Sequence, residues 1–365
     1  MAPAADISVV IPLFNKGHCV ERALRSILEQ TVPCQEILVV DDGSTDDGHR
    51  VVEDVEDCRI KLFRQENQGP SAARNKGIAE AHGELVAFLD ADDEWKPWFL
   101  ETILELSASY PEAGAYATAY EIREQDGRVW IPPLREIPSP PWQGIIPNWF
   151  RSAIGSSPVW TSAVVVRKGV FDTVGCFVLC PGVAQDAELW GRIALRYPIA
   201  FSWHVSAVYH KEAENRRWGI MVTHVFASDS FEQALRDPQV AAHVLPDAKE
   251  FLAHERLVAA SAYILHGQAQ VARSILRKCE THRFLWRKLW WSFWSLLPAG
   301  WVNLAWHGKR WLRGSAPIVE PEALPSCLVR DRDTTRCGGY PETLHDEIPL
   351  SGSRGGSRYG TGTPR

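Results

Sequence analysis

The chain has little of what marks a secreted or disulfide-built protein. Residues 1–6 carry no basic group to open a secretion signal, and the first apolar run, residues 7–14, is short and cut by Pro12. We therefore expect the folded part to stay in the cytosol. Of eight cysteines only Cys176 and Cys180 lie close together, and no second pair has a zinc-binding spacing. We expect reduced and mostly buried thiols.

Strong positive charge is also lacking. The net charge of −6 gives no sign of a nucleic-acid-binding protein. No Gly-x-Gly-x-x-Gly turn follows the first predicted strand, where residues 12–15 read Pro-Leu-Phe-Asn, and this excludes a dinucleotide-dependent dehydrogenase. A glycine-rich basic loop, expected of a nucleotidyltransferase, is missing there too. Hydrophobic residues at 45% and charged residues at 23% are ordinary globular values.

The first third of the chain alternates between buried strands and amphipathic helices. Near-continuous apolar strands separated by helices predict an α/β fold with a mostly parallel sheet covered on both faces. In such a sheet ligands bind beyond the carboxyl ends of the strands. The predicted strands cover 7–12, 36–40, 60–63 and 85–89, and the predicted helices 20–30, 72–81 and 97–109.

The pattern is less regular after residue 110. Residues 130–147 are rich in proline and predict a surface loop. Strands are predicted over 159–166 and 200–209, a helix over 186–196, mainly helices over 218–282, and a disordered Gly-, Pro-, Ser- and Arg-rich tail from about 315.

Two acidic clusters follow predicted strands, Asp41-Asp42 and Asp90-Ala91-Asp92. Carboxylate oxygens suit Mg²⁺ or Mn²⁺, which bind one or two carboxylates and take their other ligands from water and phosphate. Such a cation offsets the charge that grows on a diphosphate leaving group. A capped, solvated turn explains the Asp-x-Asp triplet equally well when it is taken alone.

Four motifs in order resemble the catalytic core of the family 2 glycosyltransferases, inverting enzymes with the GT-A fold. They cover residues 8–15, 37–46, 67–77 and 88–95. The resemblance is strong over about the first 110 residues and weaker to Tyr209. It implies a nucleotide-sugar donor and a divalent metal, Mg²⁺ or Mn²⁺.

The resemblance also implies roles for single residues on the donor side. Pro12 and Phe14 would lie beside the nucleotide base, Asp42 would read the base, and Arg74 would lie near the phosphates. Donor and metal would be bound by the triplet Asp90, Ala91 and Asp92. Taken alone, Phe14 is explained equally well by core packing. A turn cap is the other interpretation of Asp42, and a solvated helix charge is the usual one for a lone arginine such as Arg74.

Inversion in one displacement needs a base that takes the proton of the acceptor hydroxyl. Asp186 occupies the family's base position in a Gln-Asp-Ala-Glu-Leu-Trp-Gly-Arg run, where Gln185 replaces the usual Glu. An N-cap for the following helix is the other interpretation of Asp186, and Glu188 is the less favoured base. His210 resembles a histidine that approaches the metal or diphosphate in some related enzymes; a surface or packed histidine is at least as well supported.

Residues 283–313 form a basic, Trp-rich segment with no Asp, Glu, Lys or Arg between Leu289 and Gly308. Pro298 and Gly300 interrupt the run, so we predict two amphipathic helices lying on the cytoplasmic membrane face. A true membrane span and helices packed on the catalytic domain stay open as alternatives. Membrane attachment fits an acceptor carried on a lipid, as in surface-polysaccharide assembly.

The predicted organisation is a catalytic domain over 1–212, a helical extension over 213–282, the membrane-associating segment and a tail over 314–365. Within the catalytic domain, residues 7–110 would bind the donor and 111–212 the acceptor. We expect a metal-dependent inverting glycosyltransferase, with a UDP-sugar as donor, a glycan or lipid-linked acceptor, a membrane surface as partner and no nucleic acid. The alternative is an inactive membrane-associated scaffold that binds nucleotide sugars.

Overall fold

The computed structural model describes residues 5–179, 185–211 and 228–298. These ranges hold ten strands: β1 Ala5–Leu13, β2 Cys34–Asp41, β3 Ile60–Arg64, β4 Leu85–Phe88, β5 Glu94–Trp95, β6 Ala115–Arg123, β7 Val129–Trp130, β8 Gln143–Ile145, β9 Val164–Arg167 and β10 Ile199–His210. They also hold eleven α-helices: α1 Gly17–Leu28, α2 Gly48–Glu53, α3 Pro70–Glu80, α4 Phe99–Ser109, α5 Trp149–Ala153, α6 Lys168–Val174, α7 Gln185–Arg196, α8 Ser228–Ala234, α9 Leu245–Leu265, α10 Ala269–Lys278 and α11 Leu285–Trp294.

All described strands belong to one sheet, in which eight strands follow the order β3-β2-β1-β4-β9-β6-β10-β5, β7 pairs with β6 and β8 pairs with β10. The first four are parallel, and β6 and β10 are parallel to each other. Strand β9 lies between β4 and β6 and is antiparallel to both. The six strands β1 to β4, β6 and β10 therefore point one way, and their carboxyl ends form one edge. This confirms the predicted α/β fold with a mostly parallel sheet.

Helices cover both faces because alternate residues of each buried strand point to opposite sides. In β1, Val9 and Ile11 join the core shared with α1 and α4, whereas Val10 joins the core on the other face. On that face α3 lies directly against β1 at Gly77, where an added Cβ would meet Val10 Cγ1 at 2.3 Å. This close approach positions the preceding turn of α3 at the sheet edge.

The first part of the helical extension packs into the hydrophobic core on one face of the sheet. Phe231 of α8 and Phe251 of α9 are buried beside Trp149 and Phe150 of α5, with ring centroids 5.2–6.1 Å apart. The second half of α9 forms a smaller separate cluster with α10 and α11 that includes Trp291. Among the helices of the described ranges, none combines the length and the apolar character that crossing a bilayer requires.

Three features differ from the predictions. Strand β6 lies in the part of the chain that was predicted to be irregular, and β7 and β8 lie at the borders of the proline-rich segment. Cys176 is disulfide-bonded, whereas Cys34, Cys58 and Cys279 are free as expected. The predicted tail and the second half of the Trp-rich segment lie outside the described residues. The domain boundaries stay predictions.

Candidate active site

The turns after β1 and β2 are joined by Asp46. Its carboxylate accepts hydrogen bonds from the N–H groups of Gly17 and Gly48, at 2.8 and 3.1 Å, so one side chain binds the first N–H group of both α1 and α2. Asn15, at a φ of 51°, accepts a bond from Thr45 N–H. The linked turns leave Phe14 44% exposed at the sheet edge. Phe14 is therefore not a core residue, so core packing does not explain it.

Asp42 organises the loop that leads into α3. It is 2% exposed, and its carboxylate accepts hydrogen bonds from Gln65 Nε2, Gln68 N–H and Gly69 N–H at 2.7–2.9 Å. Gly69 has a φ of 90°, which a side chain would strain, and Pro70 then starts the helix. Asp42 thus caps a loop distant in sequence rather than its own turn. Its contact with the base stays a prediction, as does that of the half-buried Pro12.

Each carboxylate of the Asp-x-Asp triplet is paired with a cation. Arg74 from α3 reaches Asp90 Oδ1 at 2.5 Å and stacks on the ring of Phe177 at 5.4 Å. Its side chain is only 9% exposed, so Arg74 is not a solvated helix charge. Lys16, from the turn after β1, lies 3.0 Å from Asp92 Oδ2. Ala91, between the two aspartates, is buried.

The triplet fits a divalent cation of the Mg²⁺ or Mn²⁺ type. The Asp90 and Asp92 side chains are 29% and 17% exposed, and each has one oxygen in an ion pair and a second without a partner among the described residues. No group of three His, Cys, Asp or Glu side chains converges within those residues. Two carboxylates suffice for an ion that takes its remaining ligands from water and phosphate.

A 3-10 helix, Thr161–Ala163, connects the two halves of the site. Ser162 Oγ accepts a bond from Asp90 N–H at 3.1 Å and donates one to the buried Asp93 at 2.7 Å. The neighbouring Thr161 Oγ1 donates to Asp186 Oδ2 at 3.2 Å. One dipeptide therefore holds both the donor-side acidic turn and the predicted base.

Asp186 and Glu188 have opposite surroundings on α7. Asp186 is half-buried at the helix start. Glu188 is fully buried, and both of its oxygens bind Arg192 at 2.8 Å. Arg192 also donates to the carbonyls of Val174 and Cys176. Glu188 is thus held in a structural ion pair, which supports the preference for Asp186 as base.

An aromatic cluster lies beside Asp186. The ring of Trp160 is 4.5 Å from that of Tyr120 at the end of β6 and 4.9 Å from that of Tyr209 at the end of β10. Burial raises the pKa of the Tyr120 hydroxyl, and the neighbouring Tyr209, Asp186 and Asp93 raise it further. Partly buried aromatic rings beside a carboxylate suit contact with the apolar face of a sugar.

His210 is buried at the end of β10, and its Nε2 lies 2.9 Å from Glu94 Oε2. A hydrogen bond from His210 is the main cause that lowers the pKa of the Glu94 carboxyl. His210 is therefore a packed histidine, which is one of the alternatives that the sequence left open. The role of His210 as a metal ligand stays a prediction.

Residues 8–173 match the family model described as Glycosyl transferase family 2. This part of the chain is a family 2 glycosyltransferase domain. A Campylobacter jejuni relative, named GalNAc(5)-diNAcBac-PP-undecaprenol beta-1,3-glucosyltransferase, is 42% identical over 103 residues, which cover 27% of this chain and 33% of the relative. The chain spans less than half of the length of curated relatives such as these, from 20% to 49% in eight of them.

Two solved structures share the fold of this glycosyltransferase domain. S. aureus TarS 1-349 in complex with UDP-GlcNAc has a TM-score of 0.59 at 18% identity, covering 75% of this chain and 81% of that one. The mannosyltransferase PcManGT of Pyrobaculum calidifontis, in complex with GDP-Man and Mn2+, has a TM-score of 0.51 at 20% identity, covering 83% and 88%.

Several residues of the glycosyltransferase site were missed from the sequence. Lys16, Thr161 and Ser162 are common residue types in turns, and no local pattern marks them. Trp160 carried a signal, since a tryptophan beside the start of a predicted strand suggests a rim position. Only the folded sheet shows that these residues meet the aspartates.

Proposed function

We propose that the protein is an inverting, metal-dependent glycosyltransferase. It transfers a sugar from a nucleotide-diphosphate sugar, a UDP-sugar in the first instance, to a hydroxyl of a glycan or lipid-linked acceptor. The observation that carries this proposal is the dipeptide Thr161-Ser162, which bonds to Asp186 on one side and to the turn of Asp90 and Asp93 on the other. A donor held at the turn would present its sugar towards Asp186.

On the donor side, the chain supplies charge and orientation. Lys16 and Arg74, now paired with Asp92 and Asp90, are two cations that could bind a diphosphate at this edge. Asp90 and Asp92 would hold a divalent cation, which offsets the charge of the departing diphosphate. Phe14 is exposed where the resemblance expects the nucleotide base.

On the acceptor side, Asp186 would act as the general base. The acceptor oxygen attacks the anomeric carbon from the face opposite the diphosphate, the bond to the diphosphate breaks, and the hydroxyl proton passes to the Asp186 carboxylate. Thr161 orients that carboxylate by its hydrogen bond to Oδ2. The rings of Trp160 and Tyr209 lie where they would contact the acceptor sugar.

The name of the Campylobacter relative supports a lipid-linked acceptor, since it describes a glucosyltransferase acting on an undecaprenol-diphosphate glycan. We therefore also propose that the protein works at the cytoplasmic face of the cell membrane, attached peripherally, in the assembly of a surface polysaccharide. The exposed apolar residues of α11 support this placement.

Thermal unfolding with a panel of nucleoside diphosphates, each with and without Mn²⁺, tests the donor site. A ligand that binds only the folded state raises the unfolding temperature by mass action. We expect one nucleotide, UDP, to stabilise the protein only with metal, and Asp92→Ala to abolish the metal-dependent part. The exposed Asp54→Ala serves as control. No stabilisation by any nucleotide would contradict the proposal.

The inactive scaffold is the second candidate, and it shares the prediction of nucleotide binding. Turnover separates the two. Release of the nucleoside diphosphate from the matching donor, measured with and without acceptor glycolipid, is expected for the enzyme. Donor binding without any release under either condition would favour the scaffold.

A further inference from the structure

Helix α11 carries an exposed apolar face. At 100° per residue, six large apolar side chains of α11 and the residues just after it fall on one side of the helix, and these six are at least 47% exposed. Trp286, at 83%, and Leu296, just after the helix end at 71%, are the most exposed of them. The face consists of Leu285, Trp286, Leu289, Trp290, Phe293 and Leu296.

The opposite side of α11 is anchored to the protein. Trp291 is 8% exposed in the cluster formed with α9 and α10, and Ser295 is 2% exposed. Arg273 of α10 donates to Ser295 O at 2.5 Å, and Lys288 donates to Cys279 O at 2.6 Å. The apolar face is therefore presented by a fixed helix. Contiguous exposed apolar patches of this kind mark protein or membrane interaction sites.

A basic groove borders this face between α10 and α11. It encloses about 340 Å³, and three of its lining residues are the cations Arg273, Arg277 and Lys288. Among the residues that the structure describes, no acidic side chain lines it. Leu296 belongs both to the groove and to the apolar face, so the two surfaces meet along one edge.

We propose that this surface docks on a bilayer and that the groove binds the phosphate of an anionic phospholipid. The apolar face would enter the boundary between headgroups and acyl chains, where tryptophan is favoured. The groove would then lie at headgroup depth, and its cations would meet the lipid phosphate.

Charge complementarity favours an anionic bilayer over a second copy of the chain as the partner of this surface. Two copies meeting through this surface would bring two sets of groove cations together. The sequence supports the same choice, since residues 289–308 contain no charged side chain and Lys309 and Arg310 follow at once. The inference rests on the proposed membrane placement and sharpens it by naming the lipid class and the residues.

Sedimentation of the full chain with lipid vesicles tests the proposal. Vesicles of pure phosphatidylcholine are compared with vesicles of phosphatidylcholine and phosphatidylglycerol. We expect clear binding to the anionic vesicles and weaker binding to the neutral ones. Trp286→Ala with Phe293→Ala should weaken binding to both by about tenfold or more, whereas the exposed Ile131→Ala should not.

The groove is tested by reversing single charges. Arg277→Glu should lower binding to anionic vesicles by about tenfold. Lys278→Glu is the matched control, because Lys278 neighbours Arg277, is 65% exposed and lies outside the groove. It should have a clearly smaller effect. Equal losses in the two variants would overturn the phosphate site, since they would indicate unspecific attraction to a charged surface.

Two further measurements keep the outcomes distinct. Sedimentation velocity without lipid shows whether the face joins two chains; a dimer that Trp286→Ala dissociates would overturn the proposal. Thermal stabilisation by UDP and Mn²⁺ is measured on the same variants, and we expect it to be unchanged. Loss of vesicle binding with intact nucleotide binding supports the docking surface, whatever the fate of the proposed chemistry.

Discussion

Two acidic residues on α7 show how position decides chemical role. Asp186 is half-buried beside Thr161 and faces the aromatic cluster, whereas Glu188 gives both oxygens to Arg192 in the core. A carboxylate acting as base must reach the acceptor hydroxyl, and only Asp186 is placed to do so.

Asp186→Asn should therefore lose transfer and keep donor binding. We expect a fall in kcat of about 10²–10⁴-fold, the usual contribution of general base catalysis. Glu188→Gln should instead lower the free energy of unfolding by about 3 kcal/mol, because it leaves Arg192 buried without its charge partner. Kinetics and denaturant unfolding of both variants check this. Full activity of Asp186→Asn would refute its role.

A second carboxylate, Glu36, serves stability at the opposite edge of the sheet. Burial alone would raise the pKa of Glu36, but hydrogen bonds from Lys61, Ser8 and His82 N–H outweigh it and hold the pKa at about 2, below an ordinary 4.5. Because the folded-state pKa is lowered, the stabilisation is full above the unfolded-state pKa and is lost as the pH falls from about 4.5 towards about 2.

Glu36→Gln should remove this pH dependence. At pH 7 we expect it to lower the free energy of unfolding by about 2 kcal/mol, a value reduced for the half-exposed Lys61. Unfolding by urea between pH 3 and 7 measures it, and the two proteins should converge at the acidic end. Parallel curves at all pH values would show that Glu36 is not the titrating group.

At the scale of single residues, the sequence predicted those that sit in motifs. Asp90, Asp92 and Asp186 were found because they follow buried strands or begin a helix in recognisable runs. Lys16 and Ser162 were not, because their roles depend on contacts across 76 and 69 residues of chain. Long-range pairs of this kind leave no local pattern.

Strand β6 is a whole element that the local sequence pattern does not predict. Its sequence, Ala-Tyr-Ala-Thr-Ala-Tyr-Glu-Ile-Arg, is rich in alanine, which has low strand propensity. It is a strand because β9 and β10 pair with it on both sides. Strands β1, β2 and β4 were predicted well, since their Val- and Ile-rich runs identify buried parallel strands without reference to neighbours.

Helix α3 provides a test of close packing between elements. Gly77 lies where a Cβ would meet Val10 Cγ1 at 2.3 Å, and the branched Val10 side chain cannot turn away. Gly77→Ala should lower the free energy of unfolding by about 1–3 kcal/mol despite alanine's higher helix propensity. Gly169→Ala on α6, with nothing within 4 Å, should be neutral or stabilising. Denaturant unfolding compares them; a stabilised Gly77→Ala would contradict the packing.

The helical extension and the sheet form a common core at the scale of the whole molecule. Phe251 of α9 is 1% exposed and contacts Trp149, Phe150 and Phe231. Periodicity predicted these helices but not their partners, because an apolar stripe shows that a face is buried and not what buries it.

Phe251→Ala should therefore destabilise the catalytic domain itself. We expect a loss of about 3–5 kcal/mol from the free energy of unfolding, with nucleotide binding lost in the same transition. Phe293→Ala, 57% exposed on α11, should change stability by less than about 0.5 kcal/mol. Unfolding followed by fluorescence and by bound UDP measures both. Two separate transitions in Phe251→Ala would show an independent extension.

The reversed strand β9 has a consequence during synthesis. The four parallel strands β1 to β4 are complete at residue 88, yet the neighbour of β4 is made only with residues 164–167. For about 75 residues of translation, the strand that pairs with the free hydrogen-bonding edge of β4 has not yet been made. Nascent chains stalled in this interval would be the ones most prone to aggregate, and those released after β9 would have that edge closed.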